Sequence, residues 1–582
     1  MAPDWAHAIE NHEGVHGQNT VPDSINEAWR YKQYAGILRE ILKEPYEELE
    51  DKAEALSRSF KEKTAAFAQK SAWYHLLTET EKNIDMKQAL QGWKQTVKKI
   101  GNGNRKDSAM YKAKARELMG ECQKAVPGWI MTIGKAMETL DPTKNHFDVI
   151  IIDEASQANL SSLAIAYMGD KLIIVGDEHQ VSPMAVGVDS TKVNNLIHMY
   201  LQGVIPNAHL YNAKTSIYDL AMMTYQPLML REHFRCVPEI IGFSNKLIYD
   251  NKIKPLRETH STDVKPALVT YHVPGERKGK VNEIEAQMIV SLIKSCIREP
   301  EYKDKTFGVI SLLGDEQAKR IQELIDSQIP LKDIEKRRIL CGNASHFQGD
   351  ERDVMFLSIV DSPRNEPLPL ISKTVDETFE KRYNVAASRA RDQLWIVTSL
   401  DPEKDLKKGD LRRELILYGM HNHTNDYEEA KIKLTSFEQA IHDELSSRGY
   451  NLASWQVGSY DLPLIVTSSQ NNVVIACDGD RYHMSSENIK EEMEKQTILE
   501  RVGWRFIRLR ASEYYTQPKR TITQLVKRLE RLGVITVNEK PKRQDLLQRV
   551  KANVVQSIPV SKMAIFPREM VEQMMKDAAM KK

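Results

Sequence analysis

Asp153 and Glu154 follow directly on an apolar run, Phe147 to Ile152, and two adjacent carboxylates at the mouth of a buried strand suit nucleotide hydrolysis. One can hold Mg2+, usually through water, while the other polarises an attacking water. Alone, such a pair reads as a strand running out into a solvated acidic turn. A second apolar run, Lys171 to Val175, alters that reading, because it ends in Gly176-Asp177 and is followed by Gln180, Ser182 and Pro183. Two parallel strands would carry the carboxylate pair and the glutamine to one carboxyl edge, where ligands bind in open α/β sheets.

Arg235 stands in LREHFRCVPEI, Arg389 in YNVAASRARDQLWIV, and Gln348, Gly349 and Glu351 in ASHFQGDERDVMFLSIV. FGVISLLGDEQAKRI adds another strand-then-helix pattern. A lone arginine is by default a surface ion-pair partner, whereas a guanidinium held across a nucleotide stabilises charge on the transferring phosphoryl oxygens. Near the C-terminus Glu438, Asp461 and Asp478, with His483, offer a second chemistry. Carboxylates converging on Mg2+ orient a water for phosphodiester cleavage, and a histidine can act as acid/base or phosphate contact. His421 and His423 have no cysteine or carboxylate at ligand spacing and read as polar linker residues.

IIDEASQ resembles the Walker B motif of superfamily-1B helicases of the large bacterial type, the branch of the nonsense-mediated-decay and Sen1-type enzymes. GDEHQVSP and the four longer motifs match that family in order, over roughly residues 145 to 400. The resemblance implies ATP and Mg2+ as cofactors and nucleic acid as the track; the sequence leaves DNA or RNA open, with DNA the favoured partner. It implies that Asp153 coordinates Mg2+, Glu154 is the general base and Gln180 senses the γ-phosphate. Arg235 and Arg389 would be arginine fingers, with Gly176, Asp177, Gln348, Gly349 and Glu351 lining the nucleotide cleft. Fingers on a different domain from the base couple hydrolysis to cleft closure.

The same resemblance demands GxxxxGK[ST] upstream of Asp153, where backbone N–H groups cradle phosphates and a lysine reaches the β and γ oxygens. Residues 1–152 contain no such string. GNGNRKDS at 101–108 has the wrong spacing and follows an amphipathic basic segment, QGWKQTVKKI, instead of an apolar strand. The basic stretch Lys94 to Arg116 reads as a solvated helix face before a nucleic-acid contact. WAHAIENHEGVHGQNTVPDSINEAWRYKQ and VPGWIMTIGKAMETL resemble the helical insertion that such helicases carry ahead of Walker B. The expectation is a chain that begins downstream of its P-loop and has little ATPase activity in isolation: either a fragment or split-gene product whose partner polypeptide supplies the loop, or a helicase-like body that does not hydrolyse ATP by itself.

SFEQAIHDELSSRGY, Gln456, Asp461, CDGDRYH and LERVGWRFIRL resemble the very-short-patch-repair-like endonuclease domain of the PD-(D/E)xK class, over roughly 433 to 515. Asp461 and Asp478 would then ligate metal. That family reads IECDG where this chain has Ile475-Ala476-Cys477-Asp478-Gly479, so one carboxylate is gone from the site. Two functions remain open. One is a helicase/translocase fused to an Mg2+-dependent endonuclease-like domain, in DNA repair or antiviral defence. The other is a non-catalytic nucleic-acid-binding scaffold with degenerate motor and nuclease.

The elements required to position these residues are visible in the texture of the chain. Charged helical stretches fill 1–140 as an insertion or stalk. Strand–helix alternation begins near 147, giving an α/β fold: an incomplete RecA-like domain over 141–225 and a second over 226–425. A restriction-endonuclease-like α/β domain follows at 433–535, with a hairpin turn at Gln470-Asn471-Asn472, and then a charged helical tail at 536–582 whose methionines (Met563, Met570, Met574, Met575, Met580) pack a terminal helix. With 582 residues the chain exceeds one hydrophobic core. Lys+Arg 82 against Asp+Glu 81 makes any phosphate-binding surface local. The five cysteines form no CxxC pair, which argues against a zinc module or a disulfide framework and fits a reducing cytosol. The N-terminus has no apolar signal region and no run approaches a membrane span, so the reading is cytoplasmic.

Overall fold

Val149-Ile150-Ile151-Ile152 is β-branched throughout, which restricts χ1 and favours extended backbone, and it forms the strand β1 (Phe147–Ile152). The computed structural model describes residues 7–8, 10–13, 25–41, 46–100, 107–180, 189–372, 375–421, 428–429, 432–468, 471–479, 486–534, 536 and 546–557. His423, His483, Ser182, Pro183, Gln470 and the C-terminal methionines lie outside these residues. The chain divides into two units, one of residues 1–131, 138–140 and 509–523, the other of 132–137, 141–508 and 524–582.

The first unit is helical. A long helix Tyr46–Lys82 precedes the helices Ile84–Ile100 and Ser108–Cys122, which pack on each other and bury Ala89, Thr96, Ala115 and Met119. Trp93 and Trp129 meet edge to face at 5.5 Å. Lys112 pairs with Glu138 at 2.8 Å. No described helix is long and apolar enough to cross a membrane.

In the second unit β1 pairs in parallel with β2 (Gly169–Ile174), setting Ile151 opposite Ile173. Ile150 and Ile152 are buried on one face of this pair, while Val149, Ile151, Ile173 and Val175 on the other are exposed. A parallel sheet is normally covered on both faces. A short ribbon, β3 (Glu232–His233) with β4 (Lys254–Pro255), leads into a five-stranded sheet. That sheet has the order β5-β11-β10-β8-β9 and is parallel throughout: β5 (Leu268–His272), β8 (Phe307–Ser311), β9 (Leu340–Asn343), β10 (Arg352–Ser358) and β11 (Ala390–Thr398). The hairpin β6 (Arg277–Lys278) and β7 (Val281–Asn282) sits before the helix Glu283–Arg298. Apolar cores cover both faces of the sheet, so its central strands read as nearly unbroken hydrophobic runs such as Val354 to Leu357. The parallel α/β architecture is the one the alternating texture predicts.

The third sheet runs β12 (Glu428–Glu429), β13 (Asn451–Val457), β14 (Tyr460–Thr467), β15 (Asn472–Asp478) and β16 (Arg505–Arg510), antiparallel from β12 to β15. Ahead of it lies the helix Ser436–Ser447, started by a capping box between Thr435 and Glu438. The final described helix, Leu546–Ser557, returns to the second parallel sheet. Its Leu546, Val550 and Val554 are buried against the helix Glu283–Arg298, and Arg549 pairs with Glu301 at 2.5 Å.

Candidate nucleotide cleft and nuclease-like pocket

β1 ends at Ile152, and the chain turns so sharply that Glu154 adopts φ 52°, a left-handed conformation costly for a residue with a Cβ. Local hydrogen bonds hold the turn. Asp153 Oδ1 accepts the Glu154 amide at 2.9 Å, and Gln157 Nε2 donates to Glu154 Oε2 at 3.1 Å. Beside it Gly176 has no room for a side chain, since a Cβ there would stand 2.7 Å from the Tyr218 ring and 3.1 Å from the Ser156 amide. Asp177 accepts from Gln180 Nε2 at 3.0 Å and from the hydroxyl of Tyr249 at 2.6 Å.

The second parallel sheet faces this edge with its arginines. Arg389 is only 2% exposed, donating to Val385 O at 3.3 Å and to Gln180 Oε1 at 3.0 Å. Among the described residues no carboxylate forms an ion pair with it. Burial, and the nearby charge of Arg235, depress the affinity of Arg389 for its proton. Arg235 Nε meets Glu351 Oε2 at 2.5 Å, and Arg391 approaches the same carboxylate at 3.7 Å. Gly349, at φ 76°, lies against Glu154, where an added Cβ would be 3.5 Å from Oε1. Gln348 Nε2 is buried and finds no hydrogen-bond acceptor among the described residues.

Glu154, Gln180, Arg235, Gly349, Glu351 and Arg389 therefore share one cleft, while the Asp153 carboxylate is exposed at its margin. Three further residues were not singled out by the sequence reading. Asn384 Nδ2 donates to His179 O and to Tyr249 Oη, both at 3.0 Å, tying the loop that carries Gln180 to the second sheet's helices. His233 Nε2 accepts the Cys236 amide at 3.0 Å, and burial together with Arg235, Arg389 and Arg257 holds its pKa down to about 3. Asn384 and His233 stand inside quoted motifs, so their positions carried a signal; Tyr249 carried none.

In the antiparallel domain a cavity of about 670 Å³ is lined by Glu438, Asp461, Ala476, Glu492, Lys495 and Arg508, among others. Glu438 is buried and its Oε2 accepts the Thr435 amide at 2.7 Å. Lys495 Nζ donates to the Asp461 carbonyl at 2.8 Å. Of the three expected carboxylates, Glu438 and Asp461 line this cavity together, and Asp478 does not join them. Asp478 lies outside the cavity lining and pairs with Arg508 at 2.6 Å. Among the described residues no three His, Cys, Asp or Glu side chains are grouped to hold a metal. Arg508 holds the Asp478 carboxylate, and Glu438 caps its own helix.

Two family models described as AAA domains match residues 10–187 and 213–401, and a third, REase_MTES_1575, matches residues 437–529. The 5'-3' DNA helicase ZGRF1 of Mus musculus is 30% identical over 267 residues, 44% of this chain and 13% of that protein. The uncharacterized ATP-dependent helicase MG140 of Mycoplasma genitalium is 30% identical over 285 residues, 47% of this chain and 25% of that protein. Helicase sen1 of Schizosaccharomyces pombe is 23% identical over 292 residues, 47% of this chain and 15% of that protein. The chain spans from 13% to 25% of the length of these relatives. It carries AAA domains of the kind found in Sen1-like helicases, followed by a restriction-endonuclease-like domain.

Proposed function

We propose that the cleft is the γ-phosphate end of an ATP-driven nucleic-acid motor that acts on DNA, in repair or antiviral defence. The observation that carries this reading is Arg389, a guanidinium at 2% exposure beside a second arginine and with no carboxylate paired to it among the described residues. A buried cation is expensive unless an anion meets it, and a phosphate is an anion of suitable geometry. Mg·ATP fits these residues: Asp153 would hold the metal, which would neutralise charge between phosphates. Glu154 takes the proton of an attacking water, Gln180 orients that water, and Arg389 and Arg235 stabilise equatorial phosphoryl charge. Arg235 must first exchange its Glu351 partner for the phosphate, which links finger insertion to closure of the cleft.

No GxxxxGK[ST] string occurs among these 582 residues. A second polypeptide bearing it fits the uncovered face of Val149, Ile151, Ile173 and Val175. The test is Mg2+-dependent binding of a fluorescent ATP analogue and its turnover. The chain alone binds weakly and turns over negligibly, and Arg389→Ala abolishes the binding. With a loop-bearing partner, Arg389→Ala lowers turnover on the order of 10³-fold. Equal nucleotide binding by wild type and Arg389→Ala overturns the reading.

For the C-terminal domain the described residues form no three-ligand metal group, and a second reading is favoured by Ala476 and the Asp478–Arg508 pair: a nuclease-like body that contacts nucleic acid without cutting it. Ala476→Glu would restore a carboxylate to the cavity. Mg2+-dependent cleavage by the unaltered chain would refute the second reading.

A further inference from the structure

The helix Tyr46–Lys82 is exposed on every side from Lys61 to His75. One stripe along it, at positions 56, 60, 63, 67, 70, 74 and 77, steps alternately by four and three residues and so stays on one helix face. It reads Leu56, Phe60, Lys63, Phe67, Lys70, Tyr74, Leu77, with no carboxylate. Its apolar and aromatic members are 55% to 74% exposed. Lys63 and Lys70 are exposed too, and among the described residues neither forms an ion pair. Phe60, Phe67 and Tyr74 recur at intervals of about 10 Å with a lysine between each pair.

We propose that this stripe is a contact for single-stranded nucleic acid, with bases stacking on Phe60, Phe67 and Tyr74 and phosphates meeting Lys63 and Lys70. Flat aromatic faces interleaved with cations match a strand that offers flat bases and regularly spaced anions. A parallel, in-register second copy of the helix fits poorly, because pairing along this seam brings lysine against lysine twice. Burial in another apolar surface fits poorly as well, since it would desolvate two ammonium groups. The inference rests on the nucleic-acid reading of the motor and adds a contact surface remote in sequence from the nucleotide cleft.

The test is fluorescence anisotropy of a labelled oligo-dT and an abasic strand of equal length with the full chain. Phe67→Ala with Tyr74→Ala weakens oligo-dT binding by about tenfold or more and leaves abasic binding unchanged. Lys63→Ala with Lys70→Ala reduces the magnitude of the salt slope by about 1.4. Iodouridine photocrosslinks map to Phe60, Phe67 or Tyr74, a readout independent of any variant. If both double variants bind like wild type, the stripe is overturned while the motor reading stands. If the wild-type chain binds no single strand, both fall. A dimer in light scattering that dissociates on Phe67→Ser assigns the stripe to a second copy and overturns the proposal.

Discussion

Glu154 holds a left-handed backbone for which its side chain is poorly suited, and such strain persists where a function requires the side chain at that point. Glu154→Gly should therefore raise stability by about 1 kcal/mol while removing the proposed base. Thermal melts and turnover with the loop-bearing partner check the two halves; a lowered melting temperature would contradict the strain argument. His233 gives a pH prediction. Its pKa falls from 6.5 unfolded to about 3 folded, so its contribution is present above pH 6.5 and is lost as pH falls toward 3. Glu285 acts in the opposite sense. Fully buried, it accepts from Ser358 Oγ at 2.8 Å and from the Val360 amide at 3.1 Å, and burial raises it from 4.5 to about 8. Its contribution is lost as pH rises from 4.5 through about 8. Urea titrations across pH should show Glu285→Gln flattening the alkaline decline, and an unchanged decline would count against this assignment. At this scale the sequence was most legible where residues sit in contiguous motifs, as for Glu154, Gln180 and Arg389, which the fold brings to one cleft. Tyr249 and the Asp478–Arg508 pair were not legible, because partner choice across 72 and 30 residues is made by tertiary packing.

At the scale of elements, the helix Leu546–Ser557 shows where periodicity stops informing. Leu546, Val550 and Val554 recur on one side and announce a buried face, but nothing in their spacing says that the second parallel sheet's core receives it. Arg549 and Asn553 fix the docking through Glu301 and Glu299. Val550→Ala should cost the parallel-sheet domain about 2 kcal/mol, from lost burial and the void left behind. A chemical denaturation midpoint that does not move would mean the helix is not part of that cooperative core. The strands β1 and β2 were legible for the converse reason: β-branched runs that end in carboxylates are local signals, read without knowledge of the rest of the sheet.

On the scale of the second unit, the ribbon of β3 and β4 joins two chemistries. Arg257, just past β4, donates to Arg235 O at 2.9 Å, so it buttresses the backbone of a candidate finger. The same segment continues into the antiparallel domain. Trp504 Nε1 donates to Leu256 O at 2.8 Å, the Glu258 amide donates to Val502 O at 3.0 Å, and Asn472 Nδ2 donates to Glu258 Oε1 at 2.8 Å. Lys254 Nζ reaches Gly458 O and Ser459 Oγ reaches Glu232, each at 3.0 Å, at the turn just before Asp461. Leu256 itself is buried in the antiparallel domain's core. Interdomain contacts that are exposed and polar usually permit independent motion, whereas a shared buried core does not. The parallel sheet and the antiparallel domain should accordingly melt as one calorimetric transition. Trp504→Phe removes the hydrogen bond to Leu256 with modest loss of volume, and should split or broaden that transition. Two well-separated transitions in the unaltered chain would show instead that the ribbon is a tether, and that the state of Arg235, the proposed finger, is not felt at the turn before Asp461.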